Sequence, residues 1–481
     1  MPIPPATPAS RLSRRGFLAA GAAAATVLPL AACSSPLAAG LAGSALNPET
    51  LVFWNLFGGG DGVRMQAMED GYAKQHGGSS ALQGTTFAWG NPYYSKLTLA
   101  TVGNKPPDVA VAHLTRAKPL WDGDLLDPIT SDDLASVGLS AADFNQKAWA
   151  AQKTDGNNIA VPLDTHPFVL FYNVDVCKKA GLIDGDGNLV DLNGMDNFEK
   201  ALAAVAKVTG GTALNVANVV PETATPWRFF WTMYNQLKDA TPFISDGGSK
   251  LTVNEDAYNE VTSRTQKWVK EGWLNKALDY ATAQSLMFDG KAGFFMQGEW
   301  EISTAQSIKG LNFGMAPIPQ LYDKPATQAD SHTFVLPKKD RTPEQRKQHM
   351  LFIKQMLEQS LTWAEGGHVP AYIPTFDSAA YKKLTPQSNY AAAAETAVFD
   401  DAAWYGGSGS TFEGTVGAQL ALVQQGSSSP AQALSAIKSQ LATYLNTPSP
   451  PVTRYATARP DHAEQTTPRD RREHRAKGTM T

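Results

Sequence analysis

The residues able to do chemistry in this chain of 481 are carboxylates, histidines and tryptophans at the ends of β-prone runs. Glu299 and Trp300 follow the run Gly293-Phe294-Phe295-Met296. Asp164 and His166 lie between Val161-Pro162-Leu163 and Val169-Leu170-Phe171-Tyr172. Asp330, Ser331 and His332 precede Phe334-Val335-Leu336. His113 and Arg116 follow Pro107-Asp108-Val109-Ala110-Val111. Asn55 and Asp61 flank Gly58-Gly59-Gly60, and Trp89 closes Thr85-Thr86-Phe87-Ala88. Paired carboxylates could hydrolyse a glycosidic bond if two of them stood about 5–10 Å apart, one with a raised pKa. Glu299, Asp164 and Asp61 supply the number, but no local pattern marks a pair. There is no Gly-x-Ser-x-Gly elbow, no His-Glu-x-x-His and no phosphate-cradling loop. Eight histidines are scattered and form no metal-ligand spacing, so neither a metal nor a cofactor is expected. Asp184-Gly185-Asp186-Gly187-Asn188 begins like a calcium loop. Leu189 then stands where glycine is required, and Met195 where the bidentate Glu should be. A turn is expected there, with weak calcium binding as the alternative.

The elements that must position these residues alternate. Leu51-Val52-Phe53-Trp54 reads as a strand, followed by a helix that Asp61 caps and Gly77-Gly78 ends. Thr85 to Trp89 reads as a strand, Tyr94 to Val102 as a helix, and Pro107 to Val111 as a third strand. This order predicts an α/β unit with a mostly parallel sheet, and ligands of such sheets bind at the carboxyl ends of strands. Further on, Phe198 to Val208 and Ala257 to Glu271 read as helices. Thr342-Pro343-Glu344-Gln345 opens the clearest one, with a hydroxyl cap and proline in the first turn. Its apolar residues Met350, Ile353, Leu357, Leu361 and Ala364 recur every three or four positions to Gly366-Gly367.

Composition bounds the class. Apolar residues make up 43% and charged residues 18%, a globular balance with material for one or two cores. Two cysteines exclude a disulfide scaffold. At the N-terminus Ser13-Arg14-Arg15-Gly16-Phe17-Leu18 leads an alanine-rich run, the twin-arginine form of a secretory signal. Leu30-Ala31-Ala32-Cys33 resembles a bacterial lipobox. Residues 1–32 are therefore expected to be removed and Cys33 lipidated, with residues 33–47 as a flexible tether. Cys177 is then left as a small buried apolar residue. The Pro-rich, apolar-poor stretch 446–481 is expected to be disordered. Residues 33–445 carry a net charge of −10, which disfavours nucleic acid as a partner.

The order of motifs carries a resemblance. A lipobox precedes Leu51–Trp54. Then come Pro107-Asp108-Val109, Val161-Pro162-Leu163-Asp164, Phe171-Tyr172-Asn173, Gly290 to Met296 and Gly366-Gly367-His368-Val369-Pro370. In this order the chain resembles the extracellular solute-binding proteins of ABC sugar importers, the family that includes maltose-binding protein. The resemblance covers roughly residues 48–445. It implies an α/β, two-lobe fold of the periplasmic-binding-protein type, with a ligand cleft between lobes joined by a multi-segment hinge. Lobe one would comprise 48–163 with 328–375, and lobe two 164–327 with 376–445. It also implies a monomeric, lipid-anchored extracytoplasmic receptor that hands a carbohydrate to ABC permease subunits, and no enzyme activity. A polyol or glycerol phosphodiester is the alternative ligand, and a secreted glycoside hydrolase the alternative class.

A sugar offers hydroxyls and apolar C–H faces, so its site needs aromatic platforms and paired polar groups. By the resemblance Trp300 stacks on sugar, with Glu299 beside it to accept hydroxyl protons. Trp404 falls where the family places another aromatic, as even a candidate for packing as for stacking. His113 and Arg116 lie in a loop that supplies polar contacts. Asp164 and His332 flank the hinge crossings, and Asp61, Asn55 and Trp89 sit at strand ends. Asp61 is equally well explained as a plain helix cap. Asp108 is expected to be structural, His368 a turn residue, and Trp227 and Trp231 packing residues.

Overall fold

The computed structural model describes residues 50–449. The signal 1–32, Cys33, the tether 33–47 and all but the first four residues of the tail lie outside the described residues.

Two mixed sheets organise the chain. The first begins with Leu51–Asn55, buried at every position, since both faces are covered by helices. It pairs in parallel with Leu82–Thr86 and with Val109–His113. Helices Gly59–Gln75 and Asn91–Val102 make the crossovers. The strand His332–Pro337 then returns from far along the chain and lies antiparallel to Val109–His113. Short strands Leu126–Asp127 and Val161–Pro162 pair antiparallel to it. The expected parallel sheet is thus parallel only in its first three strands. Both Phe53 and Trp54 are fully buried, and Trp54 packs on Phe87 at 4.6 Å between centroids.

The second sheet is built on a ten-residue strand, Asp164–Asn173. Phe294–Gly298, Phe313–Pro317 and Thr327–Asp330 pair antiparallel to it. Val369–Pro370 joins at its start, beside Asp164 and Thr165. A core rich in aromatics, including Trp227, Trp231, Trp268 and Phe294, covers one face. Trp227 and Trp231 stack at 4.9 Å inside it, one helical turn apart, as packing residues do. Cys177 is fully buried, and burial pushes its thiol up to about 12.

The chain passes between the sheets at Leu163, where Val161–Pro162 gives way to Asp164–Asn173, and again at Ser331, between Thr327–Asp330 and His332–Pro337. The cleft lies where these crossings meet.

Several elements differ from expectation. The second strand is Leu82–Thr86 rather than Thr85–Trp89, because Gly84 continues the strand. A Cβ there would overlap the Glu69 carboxylate, so glycine is a packing requirement and not a breaker. The helix opened by Thr342 ends at Glu358, and a separate short helix spans Ser360–Ala364. Asp61 does not cap the first helix. Gly58 is its N-cap and Asp61 lies within the first turn. Asp184 Oδ1 accepts the N–H groups of Asp186 and Asn188 at 3.0 and 2.8 Å, which closes a turn.

Candidate functional site

A cavity of about 300 Å³ opens between the lobes. Lobe one contributes Phe57, Asp61, Trp89 and His113; lobe two contributes Glu222, Arg228, Tyr280 and Trp300; His166 and His332 come from the crossing strands. A larger open groove of about 620 Å³ by Tyr72 and His349 lies on one lobe only.

Strand ends build this cleft. After Leu51–Asn55 the chain turns because Asn55 Oδ1 accepts the Phe57 N–H at 3.2 Å. Gly59 takes a positive φ of 54°, and the helix starts at once, bringing Asp61 to the rim. Trp300 follows Phe294–Gly298 directly. Its indole is held by a relay: Nε1 donates to Tyr280 Oη at 3.1 Å, and that hydroxyl donates to Glu301 Oε1 at 2.5 Å. The Arg228 guanidinium lies 5.0 Å from the Trp300 ring centroid, a cation–π distance. Arg228 is paired with Glu413 at 3.4 Å. Burial works against its charge, but Glu413, Glu222 and Asp400 raise its pKa above the usual value.

Beneath the floor lies a buried ionic cluster. Asp164 is fully buried. Its Oδ1 accepts the His332 main-chain N–H at 2.7 Å and His166 Nδ1 at 3.2 Å. Its Oδ2 accepts His332 Nδ1 at 2.7 Å and Trp363 Nε1 at 2.6 Å. Burial alone would raise this carboxyl. The charge of His332 and the hydrogen bonds from His166, His332 and His368 hold it well below the usual range instead. His368 stacks on Trp363 at 4.2 Å. Its nitrogens reach Asp61 Oδ1 at 3.2 Å, Asp164 Oδ2 at 3.1 Å and Glu299 Oε1 at 3.0 Å. Against the cost of burial, these three carboxylates raise its pKa well above that of a free imidazole. Glu299 makes no aligned hydrogen bond through either oxygen, and burial pushes its carboxyl up to about 7 despite His368.

The histidines are therefore not scattered in space: His113, His166, His332 and His368 converge. Asp164, His166, His332 and His368 place their ligating atoms within 4.8 Å of one another, a spacing that could hold a metal. Asp164 already accepts four aligned N–H bonds, so internal donors satisfy the acidic member.

Trp300, Asp61, Trp89, His113 and His332 thus line one cavity. Trp89 is 47% exposed at its mouth. Other expected site residues lie elsewhere. Asp164 and Glu299 sit under the floor, fully buried, rather than on its surface. Asn55 spends its amide inside lobe one, donating to Glu69 Oε1 at 2.9 Å and accepting from Thr86 Oγ1 at 3.0 Å. Arg116 lies over the Tyr94 ring at 4.2 Å and donates to Ser408 O and Asn91 Oδ1. It fastens a lobe-two loop to lobe one, beside Asp330, which accepts from Thr115 and Ser408. Trp404 packs on Tyr405 and Tyr444 and donates to Thr447 O, outside the cleft. His368 is a hub and not merely a turn residue. Arg228, Tyr280 and Glu222 carried no local signal. His166 had one: on a strand, a residue two positions from Asp164 shares its face.

The sequence profile described as bacterial extracellular solute-binding protein matches residues 71–396. A maltodextrin-binding protein of Bacillus subtilis (strain 168) is 25% identical over 295 residues, 59% of this chain and 64% of its own length. The match thus spans just under two thirds of that relative. An arabinooligosaccharide-binding protein of the same organism is 24% identical over 389 residues, covering 76% of this chain and 82% of its own. Among solved structures, the GacH receptor of Streptomyces glaucescens GLA.O, determined unliganded and with acarbose, superposes with a TM-score of 0.66 at 18% identity. That match covers 82% of this chain and 98% of the receptor. The two-lobe fold is that of the periplasmic sugar-binding proteins, and the chain belongs to the family of bacterial extracellular solute-binding proteins.

Proposed function

We propose that this chain is a lipid-anchored, extracytoplasmic receptor that captures an oligosaccharide between its lobes and delivers it to the permease of an ABC importer. The observation that carries this reading is the cleft itself, where Trp300, held by Tyr280, faces a floor of imidazoles between two sheets. Maltodextrin- and arabinooligosaccharide-binding relatives support an oligosaccharide as the ligand class. The lipobox at Cys33 supports the anchor, and no helix among the described residues is long and apolar enough to cross a membrane. Binding free energy comes from the stacked ring and from hydroxyls paired with buried polar groups. Closure of the lobes then presents the permease with a changed surface. No covalent step is needed, and Glu299 and Asp164 do not line the cavity. A phosphodiester is disfavoured because the guanidinium in the lining, Arg228, is already engaged by Glu413.

A thermal-shift screen of the purified protein tests the reading. The panel is maltodextrins, arabinooligosaccharides, other oligosaccharides, polyols and phosphodiesters. A ligand bound only by the folded state at a hundred times its Kd adds about 2.7 kcal/mol of stability. An oligosaccharide that raises Tm and is recovered uncleaved is the expected result. A cleaved ligand, or a shift with phosphodiesters alone, would overturn the assignment.

A further inference from the structure

Three imidazoles meet at the floor of the cleft. The rings of His166 and His332 stack with centroids 4.0 Å apart and planes 22° apart. His113 lies 4.8 Å from His332 and 5.5 Å from His166. Each ring has one nitrogen engaged within the protein. His166 Nδ1 and His332 Nδ1 meet the two oxygens of Asp164, and His113 Nδ1 meets Tyr94 Oη at 2.8 Å. The three rings line the cavity, and no described residue takes up their Nε2 atoms.

The engaged partner decides where each proton sits. Asp164 is ionised and offers only lone pairs, so Nδ1 of His166 and of His332 each carry the hydrogen. In a neutral imidazole that leaves Nε2 bare. Burial keeps His166 neutral, with a pKa lowered to about 3. Tyr94 works the other way. Its hydroxyl accepts the His113 main-chain N–H at 2.8 Å, and burial raises its pKa so that it keeps its proton. That proton points at His113 Nδ1, so His113 carries its own hydrogen at Nε2.

We propose that Asp164 and Tyr94, neither of which lines the cleft, act as positioning residues that fix these tautomers, so that the floor offers an acceptor, His166, beside a donor, His113, and thereby selects an uncharged polyhydroxyl unit. The inference rests on the receptor reading and narrows its ligand. A hydroxyl both donates and accepts, so sugar hydroxyls can pair with His166 Nε2 and with the Nε2–H of His113, whose rings lie 5.5 Å apart. A phosphate or carboxylate oxygen brings lone pairs against the lone pair of His166 Nε2 and leaves that acceptor unpaired. A metal is the weaker occupant, because a Tyr94-bonded His113 presents N–H and Asp164 has spent its lone pairs on N–H donors.

Long-range 1H–15N correlation spectra of the 15N-labelled, ligand-free protein at pH 7.5 test this directly, with signals assigned by single His→Gln variants. The expected result is protonated Nδ1 in His166 and His332, and protonated Nε2 in His113. A proton on Nε2 of His166, or on Nδ1 of His113, would overturn the proposal. Asp164→Asn is expected to convert His166 to the Nε2–H form. Tyr94→Phe, which keeps the ring and the packing, is expected to free the His113 tautomer and to weaken maltotriose binding about tenfold. Folded variants with wild-type tautomers would sink the positioning roles, and Tyr94→Phe decides this if Asp164→Asn does not fold. Inorganic phosphate is expected to leave the His166 signals unmoved, and a shift would refute the selection of uncharged ligands. If maltotriose fails to bind the wild type, the choice of sugar falls while the tautomers are still decided by the spectra.

Discussion

His368 Nε2 lies 3.2 Å from Asp61 Oδ1, a contact between residues 307 positions apart. Asp61 sits at the start of the first helix of lobe one, and the same imidazole touches Glu299 of lobe two and Asp164 of a crossing strand. One buried cation thus faces three carboxylates drawn from separate parts of the hinge. Removing a single partner from a buried ionic group leaves uncompensated charge, which costs about 3–5 kcal/mol. His368→Ala is therefore expected to lose stability of that order in urea unfolding, and Asp61→Asn less, because the Asp61 side chain is 19% exposed. Equal losses in the two variants would show that His368 is not the hub.

Glu299 makes a pH prediction. Its folded pKa of about 7, against an ordinary 4.5, means that the folded chain holds this proton more tightly than the unfolded chain. A raised carboxyl contributes stability at low pH that is lost as pH climbs from about 4.5 through 7. The full difference corresponds to roughly 3 kcal/mol. Glu299→Gln mimics the protonated group at every pH. The Tm of the variant minus that of the wild type is expected to rise between pH 5 and pH 8. A difference that stays flat would mean that ionised Glu299 is as well solvated as in the unfolded chain.

Asn55 acts within lobe one. Its amide donates to Glu69, whose carboxyl is raised to about 7 by burial and by Asp70, with Asn55 opposing the rise. Without that donor the ionised Glu69 is left poorer, so Asn55→Ala is expected to cost about 1–3 kcal/mol. The loss should be larger at pH 8 than at pH 6, because only the ionised form needs the bond. Ligand affinity per folded molecule should change little. A variant of normal stability and lost affinity would return Asn55 to the site.

Much of the frame was legible because its signals are local. Leu51–Asn55 and Val109–His113 announce themselves as apolar runs, and Thr342-Pro343-Glu344-Gln345 as a capping box, which the structure forms. The helix break at Gln359 was hidden because Met350, Ile353, Leu357 and Trp363, on both sides of it, pack into one core. The start of the second strand was hidden because only the approach of Glu69 explains Gly84. Trp300 was legible through the family resemblance, together with its place after a strand. His368 was not, because its role comes from Asp61, Asp164 and Glu299 converging in space. Trp404 and Trp300 carry the same side chain, and no local pattern separates a tryptophan that faces the cavity from one that packs on the C-terminal helix Pro430–Leu445.

Those two tryptophans give opposite predictions. Trp300 lines the cavity, and its N–H is held by Tyr280, so its ring is presented to the ligand. Trp300→Ala is expected to weaken binding of whichever oligosaccharide stabilises the wild type by at least tenfold, the loss of about 2 kcal/mol typical of an aromatic anchor. Its ligand-free Tm should move little, since the ring is part of a cleft wall and not of a closed core. Trp404 packs on Tyr405 and Tyr444, so Trp404→Ala removes support for the C-terminal helix. It is expected to cost about 1–3 kcal/mol, below the cost of a fully buried tryptophan, and to leave Kd unchanged once the protein is folded. Calorimetric titration and thermal unfolding of both variants read the two effects separately. If Trp404→Ala weakens binding while Tm holds, the ligand extends beyond the cavity to Trp404, and the site is larger than the cleft described.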